Sequence, residues 1–387
     1  MSSPDEYDVV VVGGRLAGTA TAMLLARRGV RVLVLDRARR GTDTLSTHAF
    51  MRGGVLQLHR WGLLDKVAAA GTPAIRGARF HYHDEAAGVE TVAIDFEPVG
   101  GVDALYAPRR TVLDAIVVDA AVQAGAEVRF GTNVTALDRG RDGRVAGVSG
   151  RDDHGHSFSA RGRLIVGADG MRSFVARTVE APVLRTGEGA GAVVYGRWAL
   201  PDVEGYEWFY RPGAAAGFIP TNGGEVVVFA GTSIDRFRGE IAGDIRAGYL
   251  RLLKEVVGDR VSPSECPDRL WTFPGMSCFI RRPWGAGWAL VGDAASFTDP
   301  LSAHGMTDAL RDAELLAQAV TAVLAGEDET AAMTTYQERR EQVAGPVFSA
   351  ADCLATYRWT MPEVKQALLD LSKAMKTEHD VLTALGN

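Results

Sequence analysis

Short apolar runs separated by glycine open the chain in the order strand, helix, strand. Four valines end at residue 12, a helix-like stretch covers 17–28, and a second apolar run covers 31–36. Continuous apolar runs of this length are typical of strands that are buried on both faces of a parallel sheet. The pattern therefore predicts a β-α-β unit with its strands at 8–12 and 31–36.

The hydrophobic pattern of the remaining chain predicts further helices and strands. Residues 75–83 and 89–96 alternate apolar and polar positions, which is the period of half-buried strands. Other strands are predicted at 127–130, 145–149, 192–199, 207–210, 225–230 and 269–273. Helices are predicted near 54–69, 110–124, 239–257 and 305–324, and in a tail, 333–387, that breaks at Pro346 and Pro362.

This order of elements predicts an α/β protein in which a Rossmann-like nucleotide-binding domain is interrupted by an inserted β-sheet domain. The nucleotide-binding domain is expected at 1–75, 106–180 and 276–330. The inserted sheet, which would bind substrate, is expected at 76–105 and 181–275, and C-terminal helices at 331–387.

Composition and charge narrow the classes of function. The chain has 387 residues, of which 47% are hydrophobic, so it can form two packed domains. Its net charge of −6 gives no indication of a nucleic-acid-binding surface. No apolar run reaches the roughly 18 residues of a membrane span. A strand begins within ten residues without a signal-like segment. We therefore expect a cytoplasmic protein without membrane insertion.

The cysteines and histidines argue against a metal site. Cys266, Cys278 and Cys353 are widely spaced and contain no C-x-x-C pair, which is typical of a protein from a reducing compartment. His81 and His83 share one face of a predicted strand but lack a third ligand. We expect no bound metal.

A glycine-containing turn links the first predicted strand to the first helix. The dinucleotide-binding pattern places glycine at its first, third and sixth positions, which here hold Gly13, Arg15 and Gly18. The middle glycine normally leaves room for a pyrophosphate, so Arg15 either turns its side chain away or contacts a phosphate oxygen. Gly14 restores some backbone freedom. Asp36 ends the second strand at about the ~20-residue spacing expected of a ribose-binding acid.

Two later segments complete a set of three motifs. The segment 164–173 contains a predicted strand followed by Asp169 and Gly170. The segment 288–295 contains another that leads into Gly292 and Asp293, and Pro300 follows. Each motif is weak alone, but in this order the three point to one cofactor, FAD.

With these motifs the chain resembles the class A flavoprotein monooxygenases of the para-hydroxybenzoate hydroxylase type, which are related to geranylgeranyl reductases and flavin-dependent halogenases. The resemblance extends from residue 8 to about 325. The family shares a D-G motif with nearby Arg and Ser, matched by 169–173, and a G-D-A-A motif followed by proline, matched by 292–295 and Pro300. An R-x-x-L element is matched by Arg110, although Arg109 leaves its register open.

The resemblance implies specific contacts with FAD. In the family, the aspartate of the third motif holds the ribityl chain, and the loop after the proline faces the isoalloxazine. The cofactor-binding residues that the resemblance implies are Gly13, Gly14, Arg15, Leu16, Ala17, Gly18, Asp36, Arg37, Arg110, Val134, Asp169, Asp293, Pro300, Gly305 and Met306.

The flavin-facing loop departs from the family pattern. Where the family reads G-G-Q-G-x-N, residues 302–307 read S-A-H-G-M-T, so Gly305 alone is kept. We expect the pyrimidine edge of the flavin to meet backbone amides here. His304 either contacts the flavin or caps the following helix.

The activity that the resemblance implies is a monooxygenation on FAD. NADH or NADPH would reduce FAD transiently, and a hydroperoxyflavin would then hydroxylate or epoxidise a small to medium hydrophobic metabolite, free or carrier-bound. Bacterial secondary metabolism, such as antibiotic biosynthesis, is the expected setting, and the protein is expected to be a monomer or homodimer. The dry pocket would lie between the inserted sheet and the loop after Pro300. Its candidate lining residues, for each of which core packing is the alternative, are Tyr195, Trp208, Tyr210 and Phe218.

His48 is the candidate catalytic residue. It follows Ser46 and Thr47 in a segment where, in the family, the chain passes beside the isoalloxazine. It would orient substrate, act as an acid or base near neutral pH, or bond the flavin covalently. The alternative is a hydrogen-bonded structural histidine.

Three other roles compete with monooxygenation. A tryptophan-type halogenase would need a W-x-W-x-I-P run and a pocket lysine, of which Ile219 and Pro220 preserve the I-P alone. A reductase of the geranylgeranyl type remains the alternative, because its aromatic-x-x-F-P strand is similar to residues 216–220. A non-catalytic flavin-fold scaffold, as in the GDP-dissociation-inhibitor relatives, is disfavoured by the intact Asp169 and Asp293.

Overall fold

The computed structural model describes residues 5–84 and 88–386. The strands in these ranges are β1 (Asp5–Val12), β2 (Val32–Leu35), β3 (Gly77–Asp84), β4 (Gly88–Asp95), β5 (Glu127–Arg129), β6 (Thr132–Arg139), β7 (Val145–Asp152), β8 (Ser157–Gly167), β9 (Val183–Thr186), β10 (Gly191–Trp198), β11 (Tyr206–Arg211), β12 (Ala214–Pro220), β13 (Val226–Ser233), β14 (Leu270–Phe273), β15 (Phe279–Arg281), β16 (Trp284–Gly285), β17 (Trp288–Leu290) and β18 (Ser296–Phe297). The helices are α1 (Leu16–Ala26), α2 (Arg52–Arg60), α3 (Leu64–Ala69), α4 (Arg110–Gln123), α5 (Phe174–Thr178), α6 (Ile234–Arg236), α7 (Ile245–Val257), α8 (Gly305–Leu324), α9 (Glu329–Ala355) and α10 (Met361–Leu385).

The first sheet is built around β1. β2 and β8 flank β1 in parallel, and β5 and β17 extend the parallel sheet on either side. Val9 and Val11 pack into the core that contains α1, whereas Val10 and Val12 pack on the opposite face against residues of β6 and β7. Burial on both faces explains the unbroken valine run. This arrangement confirms the predicted α/β class with a Rossmann-like half.

An antiparallel extension of this sheet was only partly predicted. β7 pairs with β6 and with β8, so three long strands form a meander beside the parallel strands. β6 and the first half of β8 carry exposed polar and charged side chains in alternation. Their hydrophobic signal is correspondingly weak, which is why the pattern predicted 145–149 but neither β6 nor the start of β8.

The second sheet has seven strands among the described residues, in the order β14-β10-β13-β12-β11-β3-β4. β3 pairs in parallel with β11, although more than a hundred residues separate them in sequence. One face of this sheet is covered by α7, and the other faces the core shared with the first sheet. The predicted insertion of 76–105 and 181–275 is compatible with this pairing, and the domain boundaries stay a prediction.

The C-terminal helices differ from the prediction at one proline. α9 continues through Pro346, so the predicted break there is wrong. Pro346 lies on the exposed face of α9, as does Gln342 four residues earlier, where water can bond the carbonyl that the proline leaves free. Pro362 lies in the first turn of α10, where a missing N–H costs nothing.

Two other predicted helices begin or end differently. The helix expected at 54–69 is divided into α2 and α3, because Gly62 adopts a left-handed φ of +72° between them. The helix expected from 239 is divided into a helical turn at Phe237–Ile241 and α7, which begins at Ile245, where the Asp244 side chain accepts a hydrogen bond from the Ala247 amide. No helix in the described part of the chain is both long and apolar enough to span a membrane.

Candidate functional site

A cavity opens where the carboxyl ends of β1 and β8 meet the second sheet. Its walls come from the turn after β1, the turn after β8, the inner face of β10 and β14, and the segment 293–309. In open α/β sheets, ligands bind at the carboxyl ends of the strands. Ten predicted site residues line this cavity: Arg15, Leu16, Ala17, His48, Arg110, Tyr195, Asp293, Pro300, Gly305 and Met306.

The turn between β1 and α1 requires both of its outer glycines. Gly13 has a φ of +112°, and a Cβ there would overlap the carbonyl of Ala168. A Cβ at Gly18 would overlap the carbonyl oxygen of Gly13. α1 begins at Leu16 without a side-chain cap, so the amides of its first turn remain open to an anion.

Arg15 turns its side chain away from this turn. Its guanidinium donates to the carbonyls of Thr42 and Asp43 and pairs with Asp114, with 3.2 Å between Arg15 Nη1 and Asp114 Oδ2. Arg110 pairs with the same carboxylate at 3.0 Å. Two guanidiniums on one carboxylate leave a net positive charge beside the open end of α1, which suits a pyrophosphate.

The structure resolves the register of the R-x-x-L element. Arg110 lines the cavity, whereas Arg109 pairs with Glu225 outside its lining. Asp114, which the sequence analysis missed, is the acid that holds both Arg15 and Arg110. Asp114 follows Arg110 by four residues on a predicted helix, and this spacing could have indicated that the two side chains form an ion pair.

Asp36 lies in a second groove that adjoins the cavity. The groove also contains Gly14 and Arg15. Asp36 accepts hydrogen bonds from the Gly14 amide at 2.6 Å and the Ala38 amide at 2.7 Å. A Cβ on Gly14 would lie 2.9 Å from the Cβ of Asp36, so Gly14 makes room for Asp36 rather than supplying a left-handed turn. Arg37 is exposed beside it.

Asp293 borders the cavity without a hydrogen-bond donor from the described residues. Burial raises the pKa of its carboxyl to about 7, with a further contribution from Asp308 that outweighs the effect of Arg110. A half-buried carboxyl that lines a cavity without a protein donor favours a ligand that brings a hydroxyl group.

The loop after Pro300 is fixed by a buried aspartate. Asp299 accepts from the amides of Leu301 at 2.9 Å and Gly191 at 3.0 Å. Ala303 holds a left-handed φ of +51°, a conformation that favours glycine. His304 precedes α8 but does not cap it through its side chain, so the capping alternative is wrong. The first-turn amides of α8 therefore face the cavity uncapped, like those of α1.

Asp169 has a structural role within the chain. Its carboxylate accepts from the amides of Phe174 at 2.6 Å and Val175 at 3.2 Å, and from the hydroxyl of Ser173. These bonds hold the turn that places Gly170 and Met171 in the cavity wall. Asp169 itself is not part of the lining.

His48 lies in the cavity wall in a strained conformation. Its φ is +70°, its side chain is buried, and Nδ1 has no hydrogen-bond partner among the described residues. Burial and the nearby Arg110, Arg197 and Arg109 lower its pKa to about 3. His48 is therefore neutral at physiological pH, which contradicts the expected acid–base role near neutrality and leaves a hydrogen-bonding role.

The aromatic residues of the second sheet divide between its two faces. Tyr195 lines the cavity and stacks on Trp271 with ring centroids 5.4 Å apart. Phe218 points to the opposite face and packs in the core with α7, so its assignment to the pocket is wrong. Trp208 and Tyr210 share the face of Tyr195 but are buried in the core, outside the lining.

Val134 also lies away from the cavity. Its side chain packs on the face of the first sheet opposite α1, in the core that contains Val10, Leu33 and Leu35. Its predicted contact with the cofactor has no support from side-chain position.

A buried ion-pair network lies behind the loop after Pro300. His304, Asp308 and Glu378 bring potential metal-ligand atoms within 4.8 Å of one another. The guanidinium of Arg311 already lies among them, paired with both Asp308 and Glu378. Since this cation neutralises the carboxylates, the group is an ion-pair network in which a metal ion would meet repulsion. Its partners lie on α8 and α10, far apart in sequence, and no local pattern indicated it.

Comparison with known proteins agrees with this geometry. The model of a family described as the FAD binding domain matches residues 6–351. Aklavinone 12-hydroxylase DnrF from Streptomyces peucetius is 30% identical over 93% of this chain and 76% of its own length.

Two further similarities bear on the activity. A crystal structure of aklavinone-11 hydroxylase in a ternary complex with FAD and aklavinone is 27% identical, with a TM-score of 0.74 over 92% of this chain and 69% of that one. Digeranylgeranylglycerophospholipid reductase from Methanocella arvoryzae is 23% identical over 88% of this chain and 84% of its own length.

Proposed function

This chain belongs to the FAD binding domain family, and we propose that it is an NAD(P)H-dependent monooxygenase that hydroxylates an aromatic polyketide. It is an FAD-dependent oxidoreductase of the class to which the similar hydroxylases belong. The observation that supports the finer proposal is a pair of adjoining pockets that share Arg15. The groove contains Asp36, and the cavity is walled by Tyr195.

The residues present fit FAD. Asp36 would accept a hydrogen bond from a ribose, the uncapped start of α1 beside the charges of Arg15 and Arg110 would face the pyrophosphate, and Asp293 would accept from a ribityl hydroxyl. The remaining end of the cavity, at the uncapped start of α8, would then hold the isoalloxazine. Bound FAD supplies electron transfer from NAD(P)H and the activation of O₂.

The chain's own residues orient the substrate and exclude water. Tyr195 accepts a hydrogen bond from the Ser46 amide at 3.0 Å, which joins the second sheet to the segment that carries His48. Neutral His48 has a buried Nδ1 without a partner among the described residues, and we propose that substrate binding uncovers it for a hydrogen bond to a substrate hydroxyl or carbonyl. Buried apolar side chains from β14 and β18, Phe273 and Phe297, complete a dry wall.

The test is NAD(P)H oxidation by purified, FAD-loaded protein in air, across a panel of aromatic polyketides, with product mass analysis. The reaction consumes substrate, O₂, NAD(P)H and a proton, and yields hydroxylated product, water and NAD(P)⁺. We expect a product about 16 mass units heavier, one oxygen atom, from the cofactor chemistry. NAD(P)H oxidation without any oxygenated product from the panel would contradict the proposal.

A reductase is the second candidate, favoured by the similarity to the digeranylgeranylglycerophospholipid reductase. The sequence feature behind this alternative is weakened, because Phe218 of the 216–220 strand faces α7 and not the cavity. Strict exclusion of oxygen separates the two. A reductase would turn over a polyprenyl substrate without O₂ and give a more saturated product.

Replacing His48 should reduce turnover modestly and leave its pH dependence unchanged. If His48 orients substrate through one neutral hydrogen bond, His48→Ala loses about 1 kcal/mol, or roughly 5- to 10-fold in kcat/KM. Because the pKa of His48 is about 3, the profile between pH 5 and 8 should keep its shape. His48→Asn, which keeps a donor and an acceptor, should recover part of the rate. A step near pH 6.5 in wild type that disappears in His48→Ala would contradict the neutral role.

A further inference from the structure

One carboxylate connects the C-terminal helix to the loop at the flavin end of the cavity. His304 lines the cavity directly before α8, and its side chain is fully buried. His304 Nε2 lies 2.7 Å from Oε2 of Glu378, which α10 contributes from behind the loop. This contact is an ion pair rather than an aligned hydrogen bond, and Nδ1 has no protein partner among the described residues.

Within the buried network behind the loop after Pro300, a proton on His304 balances the charges. The buried network contains two guanidiniums and three carboxylates: Arg311, Arg340, Asp308, Asp312 and Glu378. These five groups carry a net charge of −1. Since an unbalanced charge is costly away from water, a proton on His304 completes the network.

The two carboxylates that face His304 favour its protonated form. Burial alone would lower the pKa of His304, but the carboxylates of Glu378 on α10 and Asp308 on α8 raise it further than burial and Arg311 lower it. The reciprocal effect holds the pKa of Glu378 below its ordinary value, against its own burial, through His304 and Arg311.

The position of His304 relative to a bound FAD follows from the order of the site. The groove with Asp36 and the cavity share Arg15 before the start of α1, and the loop after Pro300 lines the cavity alone. If Asp36 holds the ribose, the isoalloxazine would lie toward this loop. Charge near its ring tunes its electronic properties, and a neighbouring cation favours the reduced, anionic form.

We propose that Glu378 is a positioning residue that keeps His304 as an imidazolium beside the flavin, and so raises the reduction potential of bound FAD. The inference rests on the FAD binding of the proposed function and is independent of which substrate is oxygenated. The last helix, α10, would thereby contribute to the reduction potential of the bound cofactor.

The test compares Glu378→Gln with wild type by the midpoint potential of bound FAD at pH 6 and pH 8. Without Glu378, the positive charges of Arg311 and Arg340 balance the negative charges of Asp308 and Asp312. A proton on His304 would then add an uncompensated charge, so we expect its imidazole to be neutral. At pH 8 we expect the equilibrium constant for reduction of the bound FAD to fall roughly tenfold in Glu378→Gln. For a two-electron couple this corresponds to a midpoint potential about 30 mV lower. At pH 6 the difference should persist, because burial and Arg311 lower the pKa of His304 once Glu378 is removed.

Glu314→Gln is the matched control. Glu314 is also a buried carboxylate on α8, but it bonds Gln57 and Arg60 and does not line the cavity. We expect it to keep the wild-type potential at both pH values, and Glu378→Asp to restore the potential in part. A wild-type potential in Glu378→Gln, or an equal shift in Glu314→Gln, would overturn the inference.

A double variant keeps the inference testable if Glu378→Gln alone does not fold. His304→Gln combined with Glu378→Gln leaves a balanced network, so it should fold, retain FAD and show the lowered potential at both pH values. A wild-type potential in this variant would refute the role of His304. These measurements need neither substrate nor oxygen. An absence of hydroxylated product would therefore count against the proposed function and leave this inference standing.

Discussion

Replacing Asp293 by alanine should remove most of the bound FAD and leave the fold intact. Asp293 lines the cavity near Gly305, and its carboxylate has no donor among the described residues. A ribityl hydroxyl would supply that donor, and a hydrogen bond to a charged acceptor contributes about 1.5–3 kcal/mol. We expect the affinity for FAD to fall about 10- to 100-fold, measured by titrating apoprotein with FAD and following flavin fluorescence.

The same variant should make the apoprotein more stable at pH 8, although it binds FAD less tightly. Burial, with Asp308 next, raises the pKa of Asp293 to about 7 from an ordinary 3.8. The folded apoprotein therefore binds a proton more tightly than the unfolded chain, and its stability falls as the pH rises from about 4 through 7. Asp293→Ala and Asp293→Asn lack this ionisation, so both apoproteins should resist urea better than wild-type apoprotein at pH 8.

The two opposed effects make the prediction specific. A variant that merely damaged the fold would lose both FAD and stability. Glu314→Gln provides the control, because it removes a buried carboxylate that lies outside the cavity and should not change FAD affinity. Retention of full affinity by Asp293→Ala would mean that this aspartate does not contact the cofactor.

The nucleotide-binding half was predictable because its signals are local. Gly13 and Gly18 lie in one short segment that joins β1 to α1, so their spacing could be read locally, although the turn after β8 that packs on Gly13 is distant in sequence. A continuous valine run then indicates a strand covered on both faces. The same short-range logic located Asp36 and Asp293, each at the end of a parallel strand.

The aromatic residues of the second sheet were harder to assign, because the alternation along a strand does not show which face points toward the cavity and which toward α7. Trp208, Tyr210 and Phe218 all lie on adjacent strands, yet Phe218 faces α7 and the other two face the opposite core. Assigning the face requires the register of β11 and β12 and the position of α7, which depend on contacts distant in sequence. A list of aromatics alone carries no such information.

The burial of the charged residues of α8 could not be predicted from the sequence. Asp308, Arg311, Asp312 and Glu314 resemble a solvated helix face in the sequence, but all four are buried. Their partners arrive from α2, α9 and α10, with Arg340 and Glu378 well separated along the chain. A helix's own sequence does not reveal that later helices will cover its polar face and supply counter-charges.

That buried network makes Arg311→Met the most destabilising single change that we expect. Arg311 is fully buried and pairs with Asp308, with Glu378 at 2.8 Å and with Asp312 at 2.9 Å. Removing one partner of a buried ion pair leaves uncompensated charge and costs about 3–5 kcal/mol. Urea unfolding of the apoprotein should show a loss of this size in the free energy of unfolding at pH 8. Arg236→Met should lose about 0–1 kcal/mol, because its partners Glu240 and Glu255 are on the surface.

The pH dependence identifies the cause of that loss. Without Arg311, the pKa of Glu378 rises in the folded state, so the folded variant takes up a proton that the unfolded chain does not. Its stability then falls as the pH increases, and the deficit relative to wild type should be smaller at pH 5 than at pH 8. Adding Asp308→Asn and Glu378→Gln to Arg311→Met should recover much of the loss, because no unpaired charge remains. A deficit that is equal at both pH values, and unchanged by the two added substitutions, would show that Arg311 contributes packing rather than charge.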